Sequence, residues 1–152
     1  MKEYRITKYN PKNRVNDIYN IHEWTSVSDI GKKFDAGVLS YIQYKNVEQA
    51  YINCCIEIIN QAGILELSVC NTEYYDENIR FPKLVSHEND IREIIMCCLE
   101  EKCWAKLEAE NFFIHFGYDY YMYVGTNLPD SLVADISRRY TLFCEYFPSP
   151  YK

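Results

Sequence analysis

The stretch from Trp104 to Gly125, WAKLEAENFFIHFGYDYYMYVG, constrains the fold more than any other part of this chain. Eight of its 22 residues are Phe, Trp or Tyr, and two polar clusters, 108–111 and 117–119, divide it into three runs. Aromatic runs of about five residues that end in turn formers are typical of antiparallel strands. The pattern therefore predicts a meander, with strands over 103–108, 112–116 and 120–125.

Helical and alternating patterns account for most of the remaining chain. Ser40 and Gln43 have the spacing of a capping box, and an apolar stripe follows them to residue 61, with Gly63 as the stop. The polar residues of this helix are expected to face outward, Glu48 among them. Similar apolar stripes predict two more helices, over 86–102 and 127–140. Period-two alternation predicts three more strands, over 2–9, 64–70 and 141–147.

Two segments lack a periodic pattern. Residues 10–39 are expected to form a long loop packed on the domain, with one short helical turn and with Trp24 as its anchor, and residues 71–85 an irregular surface loop. We find no linker or internal repeat. The sequence predicts a single α+β domain over residues 1–152, in which a largely antiparallel sheet with a C-terminal aromatic meander packs against two or three helices.

The charge distribution indicates what kind of partner the chain can bind. The formal net charge is −6, but residues 1–14 hold five basic side chains and one acidic one, so the rest carries 11 basic and 21 acidic side chains. An acidic surface repels nucleic acid and attracts cationic partners. We therefore expect no nucleic-acid binding and favour a protein partner of high pI.

The seven cysteines and the N-terminus bear on compartment and cofactors. Cys54-Cys55 and Cys97-Cys98 are adjacent pairs whose side chains diverge on a helix, which is unsuitable for chelating one ion. An odd cysteine count favours free thiols in a reducing compartment. The N-terminus lacks the apolar core of a signal peptide, and no apolar run is long enough to span a bilayer. We expect a cytoplasmic protein with no membrane association, no metal and no cofactor.

No catalytic motif accompanies these features. Gly31-Lys32-Lys33 does not complete a phosphate-binding loop, because Ser26 and Lys33 occupy positions that require Gly and Ser or Thr. His115 lies in the middle of a predicted strand, where a hydrogen bond to a neighbouring strand is the usual role. The sequence therefore does not predict an enzyme.

Two segments, Glu23–Lys32 (EWTSVSDIGK) and His115–Tyr123 (HFGYDYYMY), resemble segments of small bacterial immunity proteins of contact-dependent growth inhibition and other polymorphic toxin systems. The resemblance implies a cytoplasmic protein that binds one cognate toxin domain, often a nuclease, and blocks its active or substrate-binding surface. It implies no particular set of binding residues.

Tyrosine beside carboxylate is the residue pattern expected to contact a basic partner, because Tyr supplies rigid anchor area and the acids supply attraction. The predicted partner-binding residues are Tyr74, Tyr75, Asp76, Glu77, Tyr118, Asp119 and Tyr121. The main alternative is a small enzyme or ligand-binding domain with a pocket between the aromatic sheet and the 23–37 loop, lined by Trp24, Asp29 and His115. A homo-oligomer that uses the tyrosine face on itself is a further alternative.

Overall fold

The computed structural model describes all 152 residues, Met1 to Lys152. It is an α+β domain with a seven-stranded antiparallel sheet, two short separate hairpins and three helices. The strands are β1 (Lys2–Thr7), β2 (Arg14–Val15), β3 (Ile18–Tyr19), β4 (Lys33–Phe34), β5 (Gly37–Val38), β6 (Leu67–Tyr74), β7 (Leu84–Val85), β8 (Cys103–Ala109), β9 (Phe112–Phe116), β10 (Met122–Thr126) and β11 (Phe143–Tyr146). The helices are α1 (Tyr41–Gln61), α2 (Glu88–Leu99) and α3 (Asp130–Arg139).

The predicted meander forms the centre of the sheet. The strand order is β11-β1-β10-β9-β8-β6-β7, and every neighbouring pair is antiparallel. The first strand of the chain, β1, lies between β10 and β11, so both termini are held beside the meander. The predictions for β8 and β9 are confirmed, whereas β10 begins two residues later than predicted. Asp119 and Tyr120 adopt left-handed backbone conformations that cannot continue a strand.

One face of the sheet packs on the helices and carries the hydrophobic core. Alternate residues of the central strands, such as Ile6, Leu107, Ile114 and Val124, are completely buried on this face. They contact the apolar sides of the three helices, which supply residues such as Ile58. The period-two alternation of strands places these side chains together on one face.

Helix α1 forms for the predicted reasons, but its burial differs at one position. Both halves of the Ser40–Gln43 capping box are present, with hydrogen bonds of 3.0 and 3.1 Å. Glu48, expected to face outward, is 0% exposed because it pairs with Lys45, which also binds Glu100 at the end of α2. Burial, together with the hydrogen bond to Glu100, raises the pKa of Glu48 to about 7.

The opposite face of the sheet, here called the outer face, is covered by the C-terminal tail, residues 147–152. The tail is fixed through Glu3 of β1, whose carbonyl accepts from the Phe147 amide at 3.2 Å and whose carboxylate accepts from the Ser149 amide at 2.9 Å. The Phe147 ring stacks under the Arg5 guanidinium at 4.0 Å. The outer face is thus largely closed.

Two predictions about irregular segments need correction. Residues 71–74 are not a loop, because β6 continues through Tyr74 and pairs with β8 across a register shift between Cys70 and Glu73. The 10–39 segment contains the two short hairpins as well as short 3₁₀ turns at Pro11–Asn13 and Val27–Asp29. Trp24 anchors this segment as expected, with its ring 5.3 Å from Tyr44 and 5.0 Å from Tyr120.

Candidate binding cleft

The loop between β9 and β10, residues 117–121, is held in place by one buried tyrosine. The Tyr120 hydroxyl donates to the Tyr44 hydroxyl at 2.7 Å, and the Tyr120 carbonyl accepts from the Tyr51 hydroxyl at 2.8 Å. The Tyr120 ring also meets Tyr51 edge to face at 5.0 Å. Because Tyr120 points inward with a left-handed backbone, its neighbours Tyr118 and Asp119 are turned to the surface.

A buried lysine that directly follows β1 supports the same loop. The Lys8 ammonium lies 4.2 Å from the Trp24 ring and 4.3 Å from the Tyr9 ring, and it pairs with Glu23 at 3.3 Å. Burial lowers the pKa of Lys8 to about 8, although Glu23 favours the charged form. The Tyr9 hydroxyl donates to the Asp119 carbonyl at 2.5 Å. The loop is therefore preorganised by contacts on its inner side.

A cleft of about 320 Å³ opens between this loop, the end of α2 and the end of β6. We call it the aromatic cleft. Its walls combine aromatic rings, two thiols and two carboxylates, which belong to Tyr75, Cys98, Glu101, Cys103, Trp104, Phe116, Tyr118 and Asp119. This volume lies at the small end of ligand pockets, a size suited to one or two inserted side chains.

The rim of the aromatic cleft is acidic and unpaired. Glu101 and Asp119 are exposed, and neither takes part in an ion pair. The neighbouring Lys102 is held by Glu100 at 2.7 Å. Tyr118 is 76% exposed and Tyr75 is 59% exposed. Charge and ring surface are both available to a partner.

The structure brings together three of the seven predicted partner-binding residues. Tyr75, Tyr118 and Asp119 line the aromatic cleft. Asp76 and Glu77 follow Tyr75 along the chain, where the Asp76 amide donates to the Lys102 carbonyl at 3.1 Å. These two acids therefore lie beside the cleft rather than in it.

The other two predicted residues are used inside the protein. Tyr74 is the last residue of β6, and its ring packs on the Phe81 ring. The Tyr74 hydroxyl accepts a hydrogen bond from the Phe81 amide at 2.9 Å. The Tyr121 hydroxyl accepts from Arg14 at 3.2 Å, and its ring lies 5.3 Å from Tyr9. Neither Tyr74 nor Tyr121 lines the aromatic cleft.

The pocket of the alternative hypothesis does not have its expected lining. The aromatic cleft includes Thr25 from the 23–37 loop, but not Trp24, Asp29 or His115. Trp24 is packed on core tyrosines, and Asp29 accepts hydrogen bonds from the Thr25 and Ser26 amides at 2.9 and 3.3 Å. The cleft contains carboxylates without a histidine base beside them.

His115 belongs instead to a hydrogen-bonded chain on the outer face. Its Nε2 lies 2.9 Å from Glu108 and its Nδ1 lies 2.8 Å from the Ser149 hydroxyl. With a carboxylate at Nε2 the proton belongs there, so Nδ1 accepts from Ser149. Burial lowers the pKa of His115, although Glu108 favours the charged form. The His115 ring is 2% exposed and stacks on Phe113 at 4.1 Å, whereas the Glu108 side chain at the other end of its hydrogen bond is 40% exposed.

Sequence reasoning missed Glu101 and the two thiols of the aromatic cleft. No sequence pattern singles out Glu101, whose left-handed backbone turns the chain from α2 into β8. Cys98 and Cys103 are separated by four residues that span this turn. A helix end and the start of the next strand, only four residues apart, lie close in space. This spacing is the signal that could have placed the two sulfurs together.

Comparisons with known proteins give no further guidance: no family model, curated protein or solved structure matched the chain significantly. The structure contains no cluster of three or more His, Cys, Asp or Glu side chains arranged for a metal ion. None of its helices has the length and apolar character needed to cross a bilayer. Function must therefore be inferred from the aromatic cleft and its surroundings.

Proposed function

We propose that this protein is an immunity protein, which binds a cognate basic toxin domain in the cytoplasm and covers its active or substrate-binding surface. The observation that carries the proposal is the rim of the aromatic cleft, where exposed tyrosines stand beside unpaired carboxylates. A Lys or Arg side chain of the partner would enter between the Tyr75 and Tyr118 rings and meet Asp119 and Glu101.

Physical chemistry favours such an occupant. A cation held against an aromatic face is stabilised by about 0.5–1 kcal/mol at an exposed site and by about 2 kcal/mol when water is excluded. A carboxylate beside the ring adds a charge-assisted hydrogen bond. Toxin nucleases are basic because they bind phosphate, so an acidic rim complements them.

The rigidity of the loop supports binding rather than catalysis. Tyr120 and Tyr9 fix residues 117–121 before any partner arrives, so little conformational entropy is lost on association. The cleft places no histidine beside its two thiols, whereas it does combine exposed tyrosine rings with carboxylates. These are the properties of a recognition surface.

The experiment that tests the proposal is affinity capture with matched variants. Tagged wild-type protein, Glu101→Gln/Asp119→Asn and Glu110→Lys are each incubated with lysate of the native organism, and captured proteins are quantified by mass spectrometry. Asparagine tolerates the left-handed backbone of position 119. Glu110 is an exposed acid in the turn between β8 and β9, outside the cleft, and serves as the charge control.

We expect wild type and Glu110→Lys to capture the same basic protein, and Glu101→Gln/Asp119→Asn to lose at least ten-fold of it. Co-expression of the captured domain in a bacterial host should arrest growth unless the wild-type protein is present. Equal capture by all three proteins, or a captured domain that does not arrest growth, would contradict the proposal.

One observation favours a second candidate, a serine hydrolase. The chain Ser149–His115–Glu108 has the hydrogen-bond order of a nucleophile, a base and an orienting carboxylate. A fluorophosphonate probe distinguishes the two functions. Labelling of Ser149 that disappears in His115→Gln would support the hydrolase. If the native protein is not labelled, the role of these three hydrogen-bonded residues is to hold the C-terminal tail in place.

A further inference from the structure

Two cysteines share the wall of the aromatic cleft. Cys98 lies in the last turn of α2 and Cys103 is the first residue of β8. Their sulfur atoms are 3.7 Å apart, in hydrogen-bond contact. Both residues line the cleft, although Cys103 is only 2% exposed and Cys98 is half-buried, so the cleft is the route by which a small reactant would reach the sulfurs.

The backbone between the two thiols holds them at this distance. The Lys102 amide donates to the Cys97 carbonyl at 2.9 Å and the Glu101 amide donates to the Cys98 carbonyl at 3.2 Å, which closes a tight turn. A disulfide has a sulfur–sulfur distance of about 2.05 Å, so the sulfurs need to approach by less than about 2 Å. Side-chain rotation in the last turn of a helix can supply a movement of that size.

We propose that Cys98 and Cys103 form a redox-active dithiol that peroxide oxidises reversibly to an intramolecular disulfide. The reaction requires no protein partner. Its site is the wall of the cleft, whereas the other cysteines serve mainly as packing residues. Cys54 and Cys55, for example, are fully buried in the core.

Cys103 is the thiol that reacts first. In the hydrogen bond between the two sulfurs either thiol can be the donor. This contact lowers the pKa of Cys103, while the pKa of Cys98 is raised well above its usual value by the same contact and by burial. A thiolate is the nucleophilic form of cysteine. The two thiols therefore have different roles, Cys103 as the attacking group and Cys98 as the resolving group.

The oxidation balances with hydrogen peroxide as the oxidant. The Cys103 thiolate attacks one peroxide oxygen, the oxygen–oxygen bond breaks, and a sulfenic acid and hydroxide form. The hydroxide takes the Cys98 proton to give water, and the Cys98 thiolate attacks the Cys103 sulfur. The sulfur–sulfur bond forms as a second hydroxide leaves and combines with the proton first released by Cys103. In total, two thiols and one peroxide give one disulfide and two waters.

Oxidation would alter the rim of the aromatic cleft. The turn that joins the two cysteines carries Glu101, and its Lys102 carbonyl accepts from the Tyr75 amide at 3.0 Å. Drawing the sulfurs together therefore moves two groups of the proposed binding surface. Trp104 follows Cys103 directly, so its fluorescence reports the change without any partner.

The test is peptide mapping of the native full-length protein after limited peroxide treatment. Free thiols are alkylated and trypsin is applied without reductant; trypsin cuts after Lys102 and thus separates the two cysteines. We expect a disulfide-linked pair of peptides, 93–102 and 103–106, which a thiol reductant removes while Trp104 fluorescence returns to its initial value. Because Cys97 lies on the same peptide as Cys98, Cys97→Ser is the matched control and should keep the link.

Two variants test the order of the reaction. Cys98→Ser should accumulate a sulfenic acid at Cys103 that dimedone traps, and Cys103→Ser should lose peroxide reactivity at this site at least ten-fold. Full alkylation of Cys98 and Cys103 while other cysteines are oxidised would overturn the proposal. A disulfide between Cys97 and Cys103 that forms in Cys98→Ser as readily as the link in the native protein would overturn the proposal as well.

Discussion

The aromatic cleft and the outer face contain the same kinds of side chain, but they differ in how those side chains are paired. On the outer face Arg5 and Arg14 both bind Glu145, and His115 lies between Glu108 and Ser149. At the cleft the carboxylates have no ion partner and the tyrosine rings stand in solvent. Residue type alone therefore does not distinguish the two surfaces; the presence or absence of internal partners does.

The largest expected effect is on the outer face, at Gly125. A Cβ atom at this position would lie 2.3 Å from the Phe113 ring, which is itself stacked on His115. We expect Gly125→Ala to lower the free energy of unfolding by about 3 kcal/mol, at the upper end of overpacking costs. Urea unfolding measures this loss, and Gly125→Ala/Phe113→Leu should recover part of it. No loss in the single variant would contradict the tight packing of this face.

Substitution of two tyrosines of the same hairpin, one on the outer face and one at the aromatic cleft, compares the two regions directly. Tyr121 lies 5.6 Å from both the Arg5 and Arg14 guanidinium groups, so Tyr121→Ala should cost about 2 kcal/mol of stability. Tyr118→Ala should change stability by less than about 0.5 kcal/mol, because the ring is mostly exposed. In the capture assay the order should reverse, with Tyr118→Ala the more damaging. Equal effects of the two variants in both assays would contradict the distinction between a packed outer face and an exposed cleft.

The hydrogen-bonded chain of the outer face predicts a pH dependence of stability. His115 has a lowered pKa in the folded protein and an ordinary value near 6.5 when unfolded. Below pH 6.5 the unfolded chain takes up a proton that the folded protein does not, so stability is lost as pH falls. We expect this loss to begin as pH falls through 6.5 and to be absent in His115→Gln. Parallel stability curves for the two proteins would contradict the assignment.

The smallest expected effect concerns the acids beside the cleft. Asp76 and Glu77 lie next to Tyr75 and contribute to the field that a basic partner meets during approach. Asp76→Lys/Glu77→Lys should slow association several-fold at low salt and leave the dissociation rate nearly unchanged. Stopped-flow or surface-based kinetics with the captured partner measures both rates. An unchanged association rate would exclude these two acids from steering.

The sequence was sufficient to predict the elements whose causes are local. The capping box of α1 and the turn-bounded runs of β8 and β9 were correctly identified, because their signals lie within a few residues. The class of fold, an antiparallel sheet packed on helices, follows from the order of these patterns.

Long-range contacts decided the features that were missed. Glu48 is buried because Lys45 and Glu100 surround it, which helical periodicity does not encode. Continuation of β6 to Tyr74 depends on pairing with β8. Tyr118 and Tyr121 are equivalent in sequence terms, and only the left-handed backbone between them sends one outward and the other onto the outer face.

The most direct test of the account is amide hydrogen exchange on the complex with the captured partner. If the aromatic cleft is the binding surface, residues 117–119, 99–102 and 75–77 should exchange more slowly in the complex, while the tail, residues 147–152, should exchange as in the free protein. Slower exchange confined to β11 and the tail, with the cleft unchanged, would contradict the account and place the partner on the outer face.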